Sequence, residues 1–308
     1  MQLITLDTAH LVQVLQQAQE IRIATPSIAN EGAIRAIGVA TSRGASSTVL
    51  LAPVADAVQD GARIMVGKDP YAKAEPQFRQ LLRVKAEIFI NPRFSMVGAL
   101  GVQPNAGNNA SYVYARGDAK HTVSLICNGP LDEQLVQSGA IKCVETDSDK
   151  VGKAVRSLHI SDFDDTVDPA ERNKLQRAAA SELVITPGAL DPLNQMLSES
   201  EGRIELHSSR LDQQAEIWPV LKKLATRLAL VIPGDDDKTV KAASELGKAG
   251  ASVTVSEKPI IGTYAATNRL YFVGSQQLGN TAGANVRQVG LIFPRSLAES
   301  LVPVGNRK

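Results

Sequence analysis

LYFVGSQQLGNTAGANVRQVGLIF, from Leu270 to Phe293, reads as two apolar strands separated by a loop. The first run ends on Gly274 and Ser275, and the second is RQVGLIF, from Arg287 to Phe293. Between them, Gly279, Asn280, Gly283 and Asn285 supply turn chemistry. Short apolar runs bounded by Gly and Asn are the mark of strands in a sheet. Upstream, KTVKAASELGKAG carries a helical pattern whose Gly250 suits a C-terminal cap, and the strand ASVTVS follows it. Further upstream lie the helix ALDPLNQMLSES, the strand RIELHSS, the helix QQAEIWPVLKKLA and the strand RLALVI. This alternation predicts α/β units.

The first half carries the same order. A helix over His10 to Gln19 precedes the strand IRIATPS, and a helix around Glu31 to Thr41 precedes STVLLAPV. ARIMVG, a helix from Glu75 to Arg83, AEIFIN, SYVYAR, HTVSLIC and AIKCVET follow, and a helix over Asp149 to Leu158 closes the half. Segments of the halves align: RIATPS on RIELHSS, SLICNGPL on YFVGSQQL, and AIKCVETDSDKVGKAVRSL on QVGLIFPRSLAESLVPV. A repeat this long is not a solenoid period. The expected organisation is a first lobe at 1–159, a connector at 160–192 and a second lobe at 193–308.

Composition narrows the function classes. The chain has 308 residues, 44% hydrophobic and 21% charged, which is globular composition with room for a sizeable core. Aromatic residues make up 4%, too few for wide base-stacking platforms, and a net charge of +1 gives no global pull toward nucleic acid or anionic membrane. No apolar run approaches the ~20 residues that span a bilayer, and the N-terminal residues lack a signal-peptide pattern. A cytoplasmic, unanchored protein is expected. Cys127 and Cys143 read as buried strand residues rather than as a disulfide or zinc ligands.

The Leu270–Phe293 stretch and the helix–strand pair before it resemble the phospholipase D superfamily. Members carry a strand ending in Gly-Ser-x-Asn, a loop with an Asn, and a strand of the type Glu-Val-Gly-Val-Val. Gly274 and Ser275 stand in place, whereas Gln277 replaces the Asn and Gln288 the Glu. The first half resembles the same unit more weakly. The resemblance implies two repeats, each a mixed sheet flanked by helices, related by a pseudo-twofold axis. It also implies two catalytic His-x-Lys-x4-Asp motifs. Counting back from Gly274, these positions fall on Ile260, Gly262 and Thr267, and in the first half near Ala110, Tyr112 and Gly117. None is His or Lys. That mechanism needs one His as nucleophile on phosphorus, another as general acid, and two Lys to hold the phosphate.

The expectation is therefore a catalytically degenerate protein serving as a binding or scaffold component, with no cofactor. Its partner would be another protein or a larger assembly, with a phosphate-bearing ligand or nucleic acid in the interlobe cleft as the other choice. A homo-oligomer is compatible with this reading, and a membrane partner is not expected. Candidate ligand-binding residues are His207, Ser208 and His121 at strand ends, where sites in open sheets gather, together with Ser275, Gln277 and Asn285 near the cleft. A lone strand-end His is more often simply hydrogen-bonded. The Gly- and Asn-rich stretch Asn91 to Ala110 reads as a loop of the kind often used for binding, or as a surface excursion.

One competing enzyme reading arises. Asp162, Asp164 and Thr166 in SDFDDTV fit the Asp-x-Asp-x-Thr signature of haloacid dehalogenase-like phosphatases. The resemblance makes Asp162 the nucleophile, Asp164 the general acid/base and Mg2+ the cofactor held near both. Lys238 or Lys241 would supply the required Lys. ASVTVSEKP lacks the later aspartate this family needs, and GDDD (Gly234 to Asp237) is explained as an acidic helix start. SDFDDT itself also reads as an acidic turn capping a helix.

Overall fold

The computed structural model describes residues 2–25, 27–51, 75–90, 111–117, 122–149, 151–153, 155–156, 183–186, 191–274, 278–279 and 288–295. The first half begins with β1 (Gln2–Thr5), α1 (Thr8–Gln16), β2 (Glu20–Thr25), α2 (Glu31–Ser42) and β3 (Ser46–Leu51). It continues with α3 (Glu75–Arg83), β4 (Glu87–Ile90), β5 (Ser111–Arg116), β6 (Thr122–Cys127), α4 (Glu133–Gln137) and β7 (Lys142–Thr146). Residues 151–153 and 155–156 are helical. The second half begins with β8 (Leu183–Thr186), α5 (Asp191–Ser198), β9 (Ile204–Ser208), α6 (Trp218–Leu224) and β10 (Leu228–Pro233). Next come α7 (Asp237–Lys248), β11 (Ser252–Ser256), β12 (Thr263–Ala266), β13 (Leu270–Gly274) and β14 (Gln288–Pro294).

The strands form two seven-stranded sheets with the same order, β1-β7-β6-β5-β2-β3-β4 and β8-β14-β13-β12-β9-β10-β11. Within each, three strands are parallel (β2, β3, β4 and β9, β10, β11) and the rest pair antiparallel. Parallel neighbours need a crossover, which α2, α3, α6 and α7 supply. Local signals fix their ends. Asp7, Asn30 and Asp236 cap α1, α2 and α7 through side-chain oxygens that accept the N–H of His10, Ala33 and Lys238. At the end of α7, Gly250 takes φ +105°, letting Ala251 N–H reach Leu246 O and Gly250 N–H reach Gly247 O.

Among the described residues, three buried clusters hold the fold. In each lobe the helices bury one face of the sheet, around Leu11, Leu15, Ile23 and Ile37 in the first and Leu206, Leu221, Leu230 and Leu246 in the second. The third core lies between the sheets. Ala24, Leu50, Tyr112, Tyr114, Ile126 and Val144 meet Val273, Leu291 and Phe293 in one buried cluster. The layers are helices, sheet, sheet, helices.

The structure adds β1 and α4, which the sequence reading lacks, and differs from it in three further places. Leu183–Thr186, inside the expected connector, is an edge strand paired with β14. Thr263–Ala266, which carries no strand in the sequence reading, is β12, paired with β9 and β13. Cys127 and Cys143, expected as unpaired core thiols, face each other across β6 and β7 and form a disulfide, with Cα atoms 4.1 Å apart. Directly opposed cross-strand positions come closest, at about 4.5 Å, where they exchange no backbone hydrogen bonds. ARIMVG, the Asn91–Ala110 loop and Asp162, Asp164 and Thr166 lie outside the described residues. The Asp162 reading needs a single sheet with Asp162 at its carboxyl edge, whereas the described residues form two.

Candidate functional site

Strand pairing puts the repeat on an atomic footing. Ser111 opposes Cys127 and Thr263 opposes Gly274, so Ser111 and Thr263 are counterparts. Thr25 and Ser208 are counterparts at the ends of β2 and β9, and their hydroxyls each donate to a carbonyl two residues on, Ser27 O at 2.7 Å and Arg210 O at 2.6 Å. Those same carbonyls accept the N–H groups of Leu131 and Leu278, at 3.1 and 3.2 Å. Leu131 and Leu278 are aligned in the sequence match of SLICNGPL on YFVGSQQL. Cys127 and Cys143 take the places of Gly274 and Gly290.

This register locates the motif positions. Ile260 lines a cavity between the lobes. Gly262 has φ +59°, a left-handed backbone, and its carbonyl accepts Ser209 N–H at 2.8 Å. Thr267 closes the β12–β13 turn, donating to Leu270 O at 3.1 Å and accepting Leu270 N–H at 2.9 Å. The three positions thus serve as an apolar wall, a backbone bend and a turn cap. In the first lobe the pairing moves the corresponding positions by two residues. Counted along the sequence from that pairing, the positions matching Ile260 and Gly262 fall on Asn108 and Ala110, which lie outside the described residues. Tyr112 instead matches Tyr264 and is buried between the sheets.

The interlobe cavity has a volume of about 460 Å³, within the range of small-molecule sites. The first lobe contributes β1, Asn128 and the approach to β7. The second contributes Glu205, His207, Tyr264 and the segment between β11 and β12. Glu205 and His207 project from the same face of β9, and His207 Nε2 lies 2.7 Å from Glu205 Oε1. The His207 ring meets Tyr264 edge-on, with centroids 5.3 Å apart, and Tyr264 stacks on Tyr271. Burial, reinforced by the Glu205 carboxylate, raises the Tyr264 hydroxyl well above its ordinary value, so it stays protonated as a donor. Asn128 joins the lobes: its Nδ2 donates to Ile261 O at 2.7 Å, and its Oδ1 accepts Lys142 N–H at 2.8 Å. Lys142 Nζ donates to Thr5 Oγ1 at 2.6 Å. Burial holds the Lys142 ammonium below its usual pKa, and the positive charge of Lys258 lowers it further.

Of the candidates read from sequence, His207 lies on this cavity. Ser208 points the other way, is fully buried, and donates its hydroxyl to Arg210 O. His121, Ser275, Gln277 and Asn285 lie outside the described residues. Asn128, Lys142, Glu205, Lys258 and Tyr264 were not singled out from sequence. Asn128 had a signal, because the segment match places it opposite Ser275. Among the described residues, no group of three His, Cys, Asp or Glu is arranged to hold a metal ion, and no helix is long and apolar enough to cross a membrane.

No protein-family model matches the chain, and no curated protein matches it in sequence. Solved structures do match. Polyphosphate kinase from Porphyromonas gingivalis aligns at 14% identity over 96% of this chain, with TM-score 0.58. The chain spans 42% of that kinase's length. Phosphatidylserine synthase from Haemophilus influenzae aligns at 9% identity over 94% of this chain and 80% of its own, with TM-score 0.58. Yeast tyrosyl-DNA phosphodiesterase aligns at 7% identity over 91% and 83%, with TM-score 0.53. At these identities the likeness is one of architecture, and it agrees with the repeat, the sheet order and the Gly-Ser strand: the chain has the two-lobed fold of the phospholipase D superfamily.

Proposed function

We propose that this chain is a binding protein built on a phospholipase D-like fold, which holds a ligand or partner at the interlobe cavity and does not turn over phosphodiesters by the superfamily mechanism. The observation that carries this is Gly262. It stands where the motif's Lys would be, and its left-handed backbone is one that a lysine adopts only at a cost of about 1–2 kcal/mol. Ile260, in place of the nucleophilic or acid His, offers no proton and no lone pair. Asn108 and Ala110 repeat the substitution in the first lobe. The proteins of similar fold are named for work on phosphorylated molecules, which supports a phosphate-bearing ligand as one choice and leaves a protein partner as the other. A cytosolic location, expected from sequence, stands against the Cys127–Cys143 disulfide, since disulfides persist mainly in oxidising compartments. The binding reading does not depend on the compartment.

The test is hydrolysis of bis(p-nitrophenyl) phosphate and p-nitrophenyl phosphate by purified protein, with EDTA or with Mg2+. No turnover of the diester in either condition is expected. Metal-independent diester hydrolysis would overturn the reading. Mg2+-dependent monoester hydrolysis abolished by Asp162→Asn would replace it with the phosphatase reading.

A further inference from the structure

The interlobe cavity brings together two lysines from different lobes. Lys142 opens β7, where Asn128 Oδ1 fixes its backbone N–H, and its side chain lies along β1 with Nζ on Thr5 Oγ1. Lys258 sits in the segment joining β11 to β12, in a turn held by Ser256, whose Oγ donates to Lys258 O at 3.0 Å and accepts Lys258 N–H at 3.1 Å. The Asn128–Ile261 hydrogen bond ties these two segments across the lobe interface. Both lysines are thus carried by anchored backbone and line one concave space.

Like charges brought together in partly desolvated surroundings repel, and the fold maintains the arrangement. The repulsion is felt at Lys142, where the charge of Lys258 adds to the effect of burial. The carboxylate on the same wall, Glu205, is engaged by His207 at 2.7 Å. An anion seated between the lysines would convert this repulsion into two attractive pairs. Its charge can be specified. Two ammonium groups match a dianion, whereas a phosphodiester or a carboxylate carries a single negative charge.

We propose that the cavity is a recognition site for a phosphomonoester dianion, either free phosphate or the terminal phosphate of a larger molecule, bridged by Lys142 of one lobe and Lys258 of the other. This rests on the reading of the cavity as a binding site and gives it a ligand class. It differs from the superfamily's chemistry in both residues and charge: neither lysine occupies a motif position, and the favoured ligand is a monoester rather than a diester.

Calorimetric titration of the full chain at constant ionic strength tests this, with inorganic phosphate, phenyl phosphate, dimethyl phosphate and acetate as probes. Saturable binding of phosphate or phenyl phosphate is expected, with dimethyl phosphate and acetate weaker by about ten-fold or more. Binding of phosphate alone would assign the free ion, and binding of both would assign a terminal phosphate. Lys258→Ala and Lys142→Ala should each weaken binding by about ten-fold or more. Lys248→Ala, at an exposed helix position, should leave it unchanged. Lys258→Gln provides the same test at an exposed site should Lys142→Ala fail to fold. Equal affinity for diester and monoester, unchanged affinity in the lysine variants, or no saturable binding would overturn the proposal. Absence of saturable anion binding by the wild-type chain, without diester turnover, overturns this site alone, whereas diester turnover overturns the non-catalytic reading beneath it.

Discussion

Thr25 Oγ1 and Ser111 Oγ lie 2.7 Å apart, both fully buried, at the point where β2 meets β5. Thr25 has one hydroxyl proton and gives it to Ser27 O, so Ser111 is the donor of this pair. The second lobe repeats the arrangement with Ser208 and Thr263, whose oxygens are 3.3 Å apart. The two hydroxyl pairs pin the same strand end in each lobe, next to the interlobe face.

Thr25→Val keeps the shape and removes the hydroxyl. It strips the buried Ser111 of its acceptor and Ser27 O of one of its two donors. A loss of about 1–3 kcal/mol is expected, because buried polar groups left unpaired keep their desolvation cost. Equilibrium urea unfolding reads this directly, and a loss below about 0.5 kcal/mol would mean the pair is not a structural pin.

Gly262→Ala introduces a Cβ at φ +59°. The left-handed conformation should cost about 1–2 kcal/mol, visible as a lowered urea midpoint. Installing the motif residues, Ile260→His with Gly262→Lys, should lower stability and produce no diester hydrolysis, since the first lobe still lacks its pair.

Glu20 accepts from three guanidiniums, Arg22 at 2.9 Å, Arg116 at 3.0 Å and Arg156 at 3.2 Å. Burial alone would raise its pKa, but hydrogen bonds from Arg22 and Arg156 and their charges hold it below the usual carboxylate value. The unfolded chain therefore binds this proton more readily than the native one. The stabilisation is present above the unfolded pKa of about 4.3 and fades as pH falls through the lower native value. Glu20→Gln should cost about 2 kcal/mol near neutrality, with the gap to wild type closing below about pH 4. A gap independent of pH would contradict this.

The Cys127–Cys143 bridge closes a loop of sequence separation 16. Reduction, or the double change to Ala, should cost about 3 kcal/mol by the loop-closure argument, measured as unfolding with and without a thiol reductant. No difference would mean that the thiols are not paired in solution.

The repeat was legible because three matched segments, β2 on β9, β6 on β13 and β7 on β14, carry strong apolar runs. The strands that escaped are those with little pattern to show. β12 is TYAA, four residues with two alanines directly after a Gly, and β1 and β8 are four-residue edge strands. Period-2 alternation over four residues does not separate a strand from a loop. The site was less legible. Lys142 and Lys258 belong to different lobes, and nothing local in IKCVE or SEKPI marks either; only the packing of the sheets makes them neighbours. The cysteine pairing was hidden for the same reason, since it depends on the β6–β7 register. The left-handed backbone of Gly262 is likewise invisible in sequence, where a Gly at a motif position signals only a missing side chain.

On the proposed function, the fold persists here without the superfamily's phosphoryl chemistry. Among the described residues, His207 is the histidine on the interlobe cavity, so a nucleophilic or acid–base role there would fall to it. The most direct measurement is steady-state hydrolysis of bis(p-nitrophenyl) phosphate by wild type and His207→Ala, side by side in EDTA. The same background rate is expected for both proteins. Saturable hydrolysis by wild type that disappears in His207→Ala would contradict it.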